Sequence, residues 1–122
     1  MAKILIVDDE IDVLETLSVL LRSEGHEVVP VSEGMEAMKK VRSMEHFDLL
    51  VSDIRMAPID GIELLEYAKK DRPAMGIVII SAYLDEETIR RAEELGCTHY
   101  IRKPFKLDDV IFAIHKVLGE HL

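Results

Sequence analysis

Tryptophan is missing from the chain, aromatic residues of all kinds make up 5% of it, and cysteine occurs once, as Cys97. A lone cysteine excludes an internal disulfide and suits a reducing compartment. The five histidines, His26, His46, His99, His115 and His121, share no ligand spacing, so a zinc site is not indicated. Positive charge is also in short supply. With 15 basic against 24 acidic residues the net charge is −9, the wrong sign for a module that holds nucleic acid through its phosphates. No apolar run approaches the roughly 20 residues needed to span a bilayer, and the start has no signal-peptide pattern. These absences point to a cytoplasmic protein that binds neither membrane nor nucleic acid directly. Gly/Ser linkers, repeats and low-complexity stretches are absent too, so residues 1–122 are expected to form one domain.

What is present is a regular alternation. Hydrophobic residues are 48% of the chain and charged residues 32%, a globular balance. Short apolar runs occur at "KILIVD" (3–8), "EVVPVS" (27–32), "DLLVSD" (48–53), "GIVIIS" (76–81) and "THYIRK" (98–103). Between and after them lie helical stripes. Val13, Leu14, Leu17, Leu20 and Leu21 form the first; Ala37, Met38, Val41 and Met44 the second; Gly61, Leu64, Leu65 and Ala68 the third. Ile89, Ala92 and Leu95 make a thinner fourth, and Val110, Ile111, Ile114, Val117 and Leu118 repeat the first pattern. Met38 and Met44 read as gap-fillers on a core stripe. Gly25 and Gly96 fall where helix ends favour a positive φ.

Five βα units predict an α/β, doubly wound parallel sheet with right-handed crossovers and helices on both faces. Pro30 cannot donate a ladder hydrogen bond and "THYIRK" is mostly polar, so the second and fifth strands belong at the edges. The strand order is then 2-1-3-4-5, a flavodoxin-like arrangement. Ligands bind such sheets at the carboxyl ends of the strands, beside the switch point between strands one and three.

Those strand ends carry chemistry. Strand one ends in Asp8 and Asp9, strand three in Asp53, strand four in Ser81 and strand five in Lys103. Taken singly, the aspartates are a turn and helix cap, Ser81 a strand-end hydroxyl and Lys103 a surface lysine. Together they are three carboxylates, a hydroxyl and an ammonium facing one cleft. Two carboxylates about 4 Å apart repel by about 4 kcal/mol at an effective dielectric near 20, so three of them need a cation or raised pKa values to coexist. Oxygen-only donors favour Mg²⁺. Carboxylate, Mg²⁺, hydroxyl and ammonium are also the parts of a phosphoryl-transfer site.

The stretches "ILIVDDE", "DLLVSDIRM", "VIISA" and "YIRKPF", with Asp60–Gly61 between them, give the whole chain a resemblance to the receiver domain of two-component response regulators, a CheY-like superfamily. The resemblance implies that Asp53 is the phosphoacceptor, charged by a sensor histidine kinase, a phosphotransfer protein or a small donor such as acetyl phosphate. It implies Mg²⁺, with Mn²⁺ as a substitute, on Asp8, Asp9, Asp53 and the backbone carbonyl of Arg55. Lys103 and Ser81 would hold the phosphoryl oxygens, and Ser81 with Tyr100 would form the switch. The Lys103–Pro104 bond would be cis. Arg55 and Tyr83 occupy the positions that tune phosphoform lifetime. Phosphorylation would remodel the face made by the fourth helix, fifth strand and fifth helix, for a downstream partner, an output domain beyond this chain, or homodimerisation. The first helix resembles the surface on which kinases dock. Pro58 stands one residue later than the family's Met-Pro pair, which predicts an altered turn after Met56.

Two other functions fit parts of the pattern. A haloacid dehalogenase-like phosphatase shares the Asp nucleophile and Mg²⁺, but needs a second acid two residues on, where this chain has Arg55. A phosphorylation-independent adaptor would keep the fold and usually lose a site residue, and none is missing here.

Overall fold

A computed structural model describes residues 2–55 and 60–121; the loop containing Met56, Ala57 and Pro58 lies outside the described residues. Its elements run β1 (Lys3–Val7), α1 (Ile11–Ser23), β2 (Glu27–Val31), α2 (Gly34–Arg42), β3 (Leu49–Ser52), α3 (Gly61–Asp71), β4 (Gly76–Ser81), α4 (Glu86–Glu94), β5 (His99–Arg102) and α5 (Leu107–His121). The sheet is parallel, in the order β2-β1-β3-β4-β5.

The continuous apolar runs follow from the two-sided burial of this sheet. Side chains alternate across a strand, so each central strand feeds two cores. Ile4 and Ile6 of β1, Val51 of β3 and Val78 and Ile80 of β4 pack with Leu17, Leu21, Ile114 and Val117 of α1 and α5. Leu5, Val7, Leu50, Ile77 and Ile79 go the other way, onto Ala37, Val41, Leu64, Leu65 and Ala92 of α2, α3 and α4. Each such aliphatic side chain contributes about 1.5–3 kcal/mol of burial. Pro30 lies on edge strand β2, opposite Ile6, where its missing N–H costs no ladder bond with a further strand.

The helices differ in how firmly they are held. In α4, Ala92 is the one buried residue, with Ile89 and Leu95 only partly covered. The second stripe ends sooner than its spacing predicts. α2 stops at Arg42, and Met44 is fully exposed rather than filling the core. At this end the Arg72 guanidinium donates to the carbonyls of Val41 (2.9 Å) and Ser43 (2.8 Å). Those acceptors would otherwise be left without partners at the helix end. Gly25 and Gly96, after α1 and α4, both have φ of +90°. Among the described residues no helix is long and apolar enough to cross a membrane.

Two predictions follow from this packing. Ile79→Ala, at a fully buried central position, should cost about 2–5 kcal/mol of unfolding free energy in a denaturant titration. His26 Nδ1 accepts the backbone N–H of Ala2 at 3.1 Å, and burial, helped by repulsion from His115, lowers its pKa. A depressed histidine stabilises the fold fully above its unfolded value of about 6.5, and that contribution fades as pH falls through the lower folded value. Melting temperature should therefore decline between neutral pH and pH 5, and His26→Gln should flatten that decline.

Candidate functional site

The site is assembled by strand pairing. Val7 of β1 lies opposite Ser52 of β3, so the next residue of each strand, Asp8 and Asp53, emerges from adjacent ends. The Asp53 N–H is fixed to the Val7 carbonyl at 3.0 Å, and that of Asp8 to the Val31 carbonyl at 3.3 Å. Lys103 arrives from the far edge, with its N–H on the Ser81 carbonyl at 2.9 Å, just past the Ser81–Arg102 pair of β4 and β5. The Lys103–Pro104 peptide that follows is cis.

At the centre is one ammonium shared by three carboxylates. Lys103 Nζ lies 2.9 Å from Asp8 Oδ2, 2.7 Å from Glu10 Oε1 and 2.8 Å from Asp53 Oδ2. The other Asp53 oxygen, Oδ1, accepts from the N–H of Ile54 at 2.6 Å and of Arg55 at 3.3 Å. Asp8 Oδ1 accepts from the Glu10 N–H at 2.8 Å. Burial works to lower the Lys103 pKa, but its bonds to Asp53, Glu10 and Asp8 outweigh this and hold it above its ordinary value. For Asp8 burial dominates and raises the pKa despite the lysine beside it.

The other residues singled out from the sequence are distributed around this centre. Ser81 is fully buried at the end of β4, and its Oγ accepts the Tyr83 N–H at 3.0 Å. The Arg55 guanidinium stacks over the Tyr83 ring, 4.2 Å from its centroid, linking the loops after β3 and β4. Tyr100 is exposed on β5. Asp9 is exposed, and the carboxylate oxygens lying within 4.8 Å of one another belong to Asp8, Glu10 and Asp53. Sequence reasoning did not place Glu10 in the site; the signal available was the third acid of the run Asp8–Glu10. It also missed Arg102, which donates to the Leu84 carbonyl at 2.9 Å and so ties β5 to the loop after β4.

The donor set suits a hard divalent cation. All three carboxylate donors are oxygen, Asp8 and Asp53 are buried, and three carboxylates against one ammonium leave two negative charges to be balanced. Such an ion would be held by Asp8 and Asp53 at the base of the site.

With this geometry in place, comparison with known proteins is direct. The family described as the response regulator receiver domain matches residues 4–115, and the chain belongs to that family. It is a receiver domain of the kind found in two-component response regulators. It is 37% identical over 116 residues to the transcriptional regulatory protein ZraR of Escherichia coli, covering 95% of this chain but 26% of that protein. The chain therefore spans about a quarter of the length of that relative. It is 32% identical to sporulation initiation phosphotransferase F of Bacillus subtilis, covering 95% of this chain and 93% of that one. Among solved structures, a CheY-like receiver domain protein from Methanospirillum hungatei superposes with a TM-score of 0.94 at 33% identity, over 99% of this chain and 96% of that one. TrrA from Thermotoga maritima, solved with Mg²⁺ and BeF, superposes with a TM-score of 0.86 at 31% identity, over 96% and 99%.

Gly61 supplies a structural test of the site. A Cβ added there would collide with the Asp53 carbonyl oxygen and approach Ile54 Cα to 2.7 Å, because the Gly61 N–H bonds the Ile54 carbonyl at 2.7 Å. Gly61→Ala should therefore lower the melting temperature and shift the amide resonances of Asp53 and Ile54, as read by differential scanning calorimetry and NMR.

Proposed function

We propose that this receiver accepts a phosphoryl group on Asp53 from a histidine kinase or phosphotransfer protein, in a Mg²⁺-dependent reaction. The observation that carries the reading is the Lys103–Asp53 contact of 2.8 Å at the buried end of β3, in a cluster whose remaining charge suits a divalent cation. Asp8, Asp9, Asp53 and the Arg55 carbonyl are the ligands proposed for that ion, Asp9 being adjacent in the chain and exposed. The metal, when bound, would neutralise phosphoryl charge as it develops.

A carboxylate oxygen of Asp53 attacks phosphorus as the P–N bond to the donor histidine breaks. The bond's electron pair leaves with the imidazole, which departs neutral when the donor ring is protonated on its other nitrogen. With acetyl phosphate the P–O bond breaks and acetate leaves. Backbone N–H groups of Ile54 and Arg55 orient the acceptor carboxylate, and Lys103 stands ready to pair with the transferred oxygens. Ser81 would donate its hydroxyl to another of them.

The readout proposed is a shift of the β4–α4 loop toward the phosphoryl group, with Tyr100 turning inward and the α4-β5-α5 face remodelled. α4 is the natural element to move, since Ala92 is its one fully buried anchor. Moving such an equilibrium from 1:99 to 99:1 takes about 5.5 kcal/mol. Two or three charge-assisted hydrogen bonds, at about 1.5–3 kcal/mol each, are of the required size. Partners proposed are a kinase-side helical surface on α1, and a downstream protein, output domain or second copy on the switch face, all in the cytoplasm.

Incubation with acetyl phosphate and measurement of intact mass tests the reading. One phosphoryl adduct is expected, lost with EDTA and lost in Asp53→Asn. A folded protein that takes no adduct from acetyl phosphate or from a phosphorylated kinase would instead be a phosphorylation-independent adaptor. The Arg55–Tyr83 stack also predicts a long-lived phosphoform, because two bulky side chains in contact crowd the approach of water. Arg55→Ala with Tyr83→Ala should shorten the half-life by about tenfold, equivalent to about 1.4 kcal/mol of barrier.

A further inference from the structure

The three acids bonded to Lys103 are not equivalent. An ammonium has three protons to donate, and here they face one oxygen each of Asp8, Glu10 and Asp53. A phosphoryl oxygen must therefore take the place of one of the three. The Asp53 bond weakens by itself, because phosphorylation turns that carboxylate into the neutral acyl end of an acyl phosphate. Asp8 and Glu10 are left as the charged partners still holding the ammonium. The side chains of Asp8 and Asp53 are 3% and 6% exposed, whereas that of Glu10 is 61% exposed. A buried carboxylate that loses its cation has no water to replace it. Glu10 does, so it is the partner that leaves at least cost.

Among the described residues Lys103 is the one group that the Glu10 carboxylate bonds, although one of its oxygens also lies within 4.8 Å of those of Asp8 and Asp53. Glu10 occupies the N-cap position of α1, yet its side chain makes no capping hydrogen bond. The N-caps of α3 and α4, Asp60 and Asp85, do cap, accepting from Glu63 and Thr88 at 2.9 and 2.8 Å. Glu is poorly suited to capping, and here the longer side chain spans to Lys103 instead.

We propose that Glu10 is an internal competitor for Lys103: its carboxylate, bonded to the ammonium, draws it away from a phosphoryl oxygen on Asp53. Glu10 is thus a positioning residue that acts through Lys103 and opposes the phosphorylated form. This rests on the reading of Asp53 as phosphoacceptor.

The test is titration of the whole 122-residue chain with beryllofluoride, a stable phosphoryl mimic, at saturating Mg²⁺, followed by NMR. A separate titration with Mg²⁺ alone is run alongside. Glu10→Gln is expected to bind beryllofluoride about 3–10-fold more tightly than wild type, with Mg²⁺ affinity little changed. In a Lys103→Gln background the gain should vanish, because there is no ammonium to compete for. Equal or weaker binding by Glu10→Gln overturns the inference, as does a gain that survives in the Lys103→Gln background. A marked loss of Mg²⁺ affinity in Glu10→Gln also overturns it, since Glu10 would then serve the metal. If folded wild-type protein takes up no beryllofluoride, the Asp53 reading fails and the inference falls with it. Binding by wild type with no gain in Glu10→Gln removes the inference alone.

Discussion

The ammonium of Lys103, bonded at 2.7–2.9 Å to Asp8, Glu10 and Asp53, is the contact on which the functional end of this molecule depends. Carboxylates brought this close would repel strongly in a site with little water. Parallel pairing of β1 with β3 forces Asp8 and Asp53 together whatever their charges prefer. The lysine from the opposite edge makes that approach tolerable. It leaves the group two charges short of neutrality, which is the condition a divalent cation would meet. The site is thus a place where fold stability is set against readiness to react, and the surrounding cores supply the stability.

Those cores explain why the architecture could be read from the sequence. "ILIV", "LLV" and "IVII" are continuous because every second side chain serves a different layer, with Ile4 and Ile6 turned to α1 and α5 and Leu5 and Val7 to α2 and α3. Pro30 and the polar fifth run could only be edges, and with both edges assigned the order 2-1-3-4-5 was the natural arrangement. Once the order is known, the convergence of Asp8, Asp53, Ser81 and Lys103 at the strand ends is a matter of register.

What escaped the sequence are contacts that depend on the reach and direction of long side chains. Glu10 stands one residue before α1, and nothing in its position says that it will bypass the helix end to meet Lys103, 93 residues away. Arg72, just after α3, satisfies carbonyls at the end of α2, and Met44 lies past that end, off the stripe that its spacing had placed in the core. Arg102 ties the Leu84 carbonyl, and Arg55 stacks on Tyr83. In each case an arginine, lysine or glutamate spans between elements that are distant in the chain. Periodicity reports which face a residue lies on, not what its far end touches.

These long contacts also bear on how the β4–α4 loop could move. Three local attachments hold it: the Tyr83 N–H on Ser81 Oγ, the Arg102 guanidinium on the Leu84 carbonyl, and Arg55 over the Tyr83 ring. Leu84 itself is buried in the core beneath α4. The loop therefore has a defined resting position even though the helix after it is thinly anchored. The hydrogen bond from exposed Arg102 contributes little net stability, about 0.5–1.5 kcal/mol, so it is weak enough to be exchanged for a bond to a charged group. Several weak attachments acting together give a position that is sharply defined and still reversible. In the proposed switch, a loop held by one deep anchor and several exchangeable bonds would shift without unfolding the sheet that carries the site.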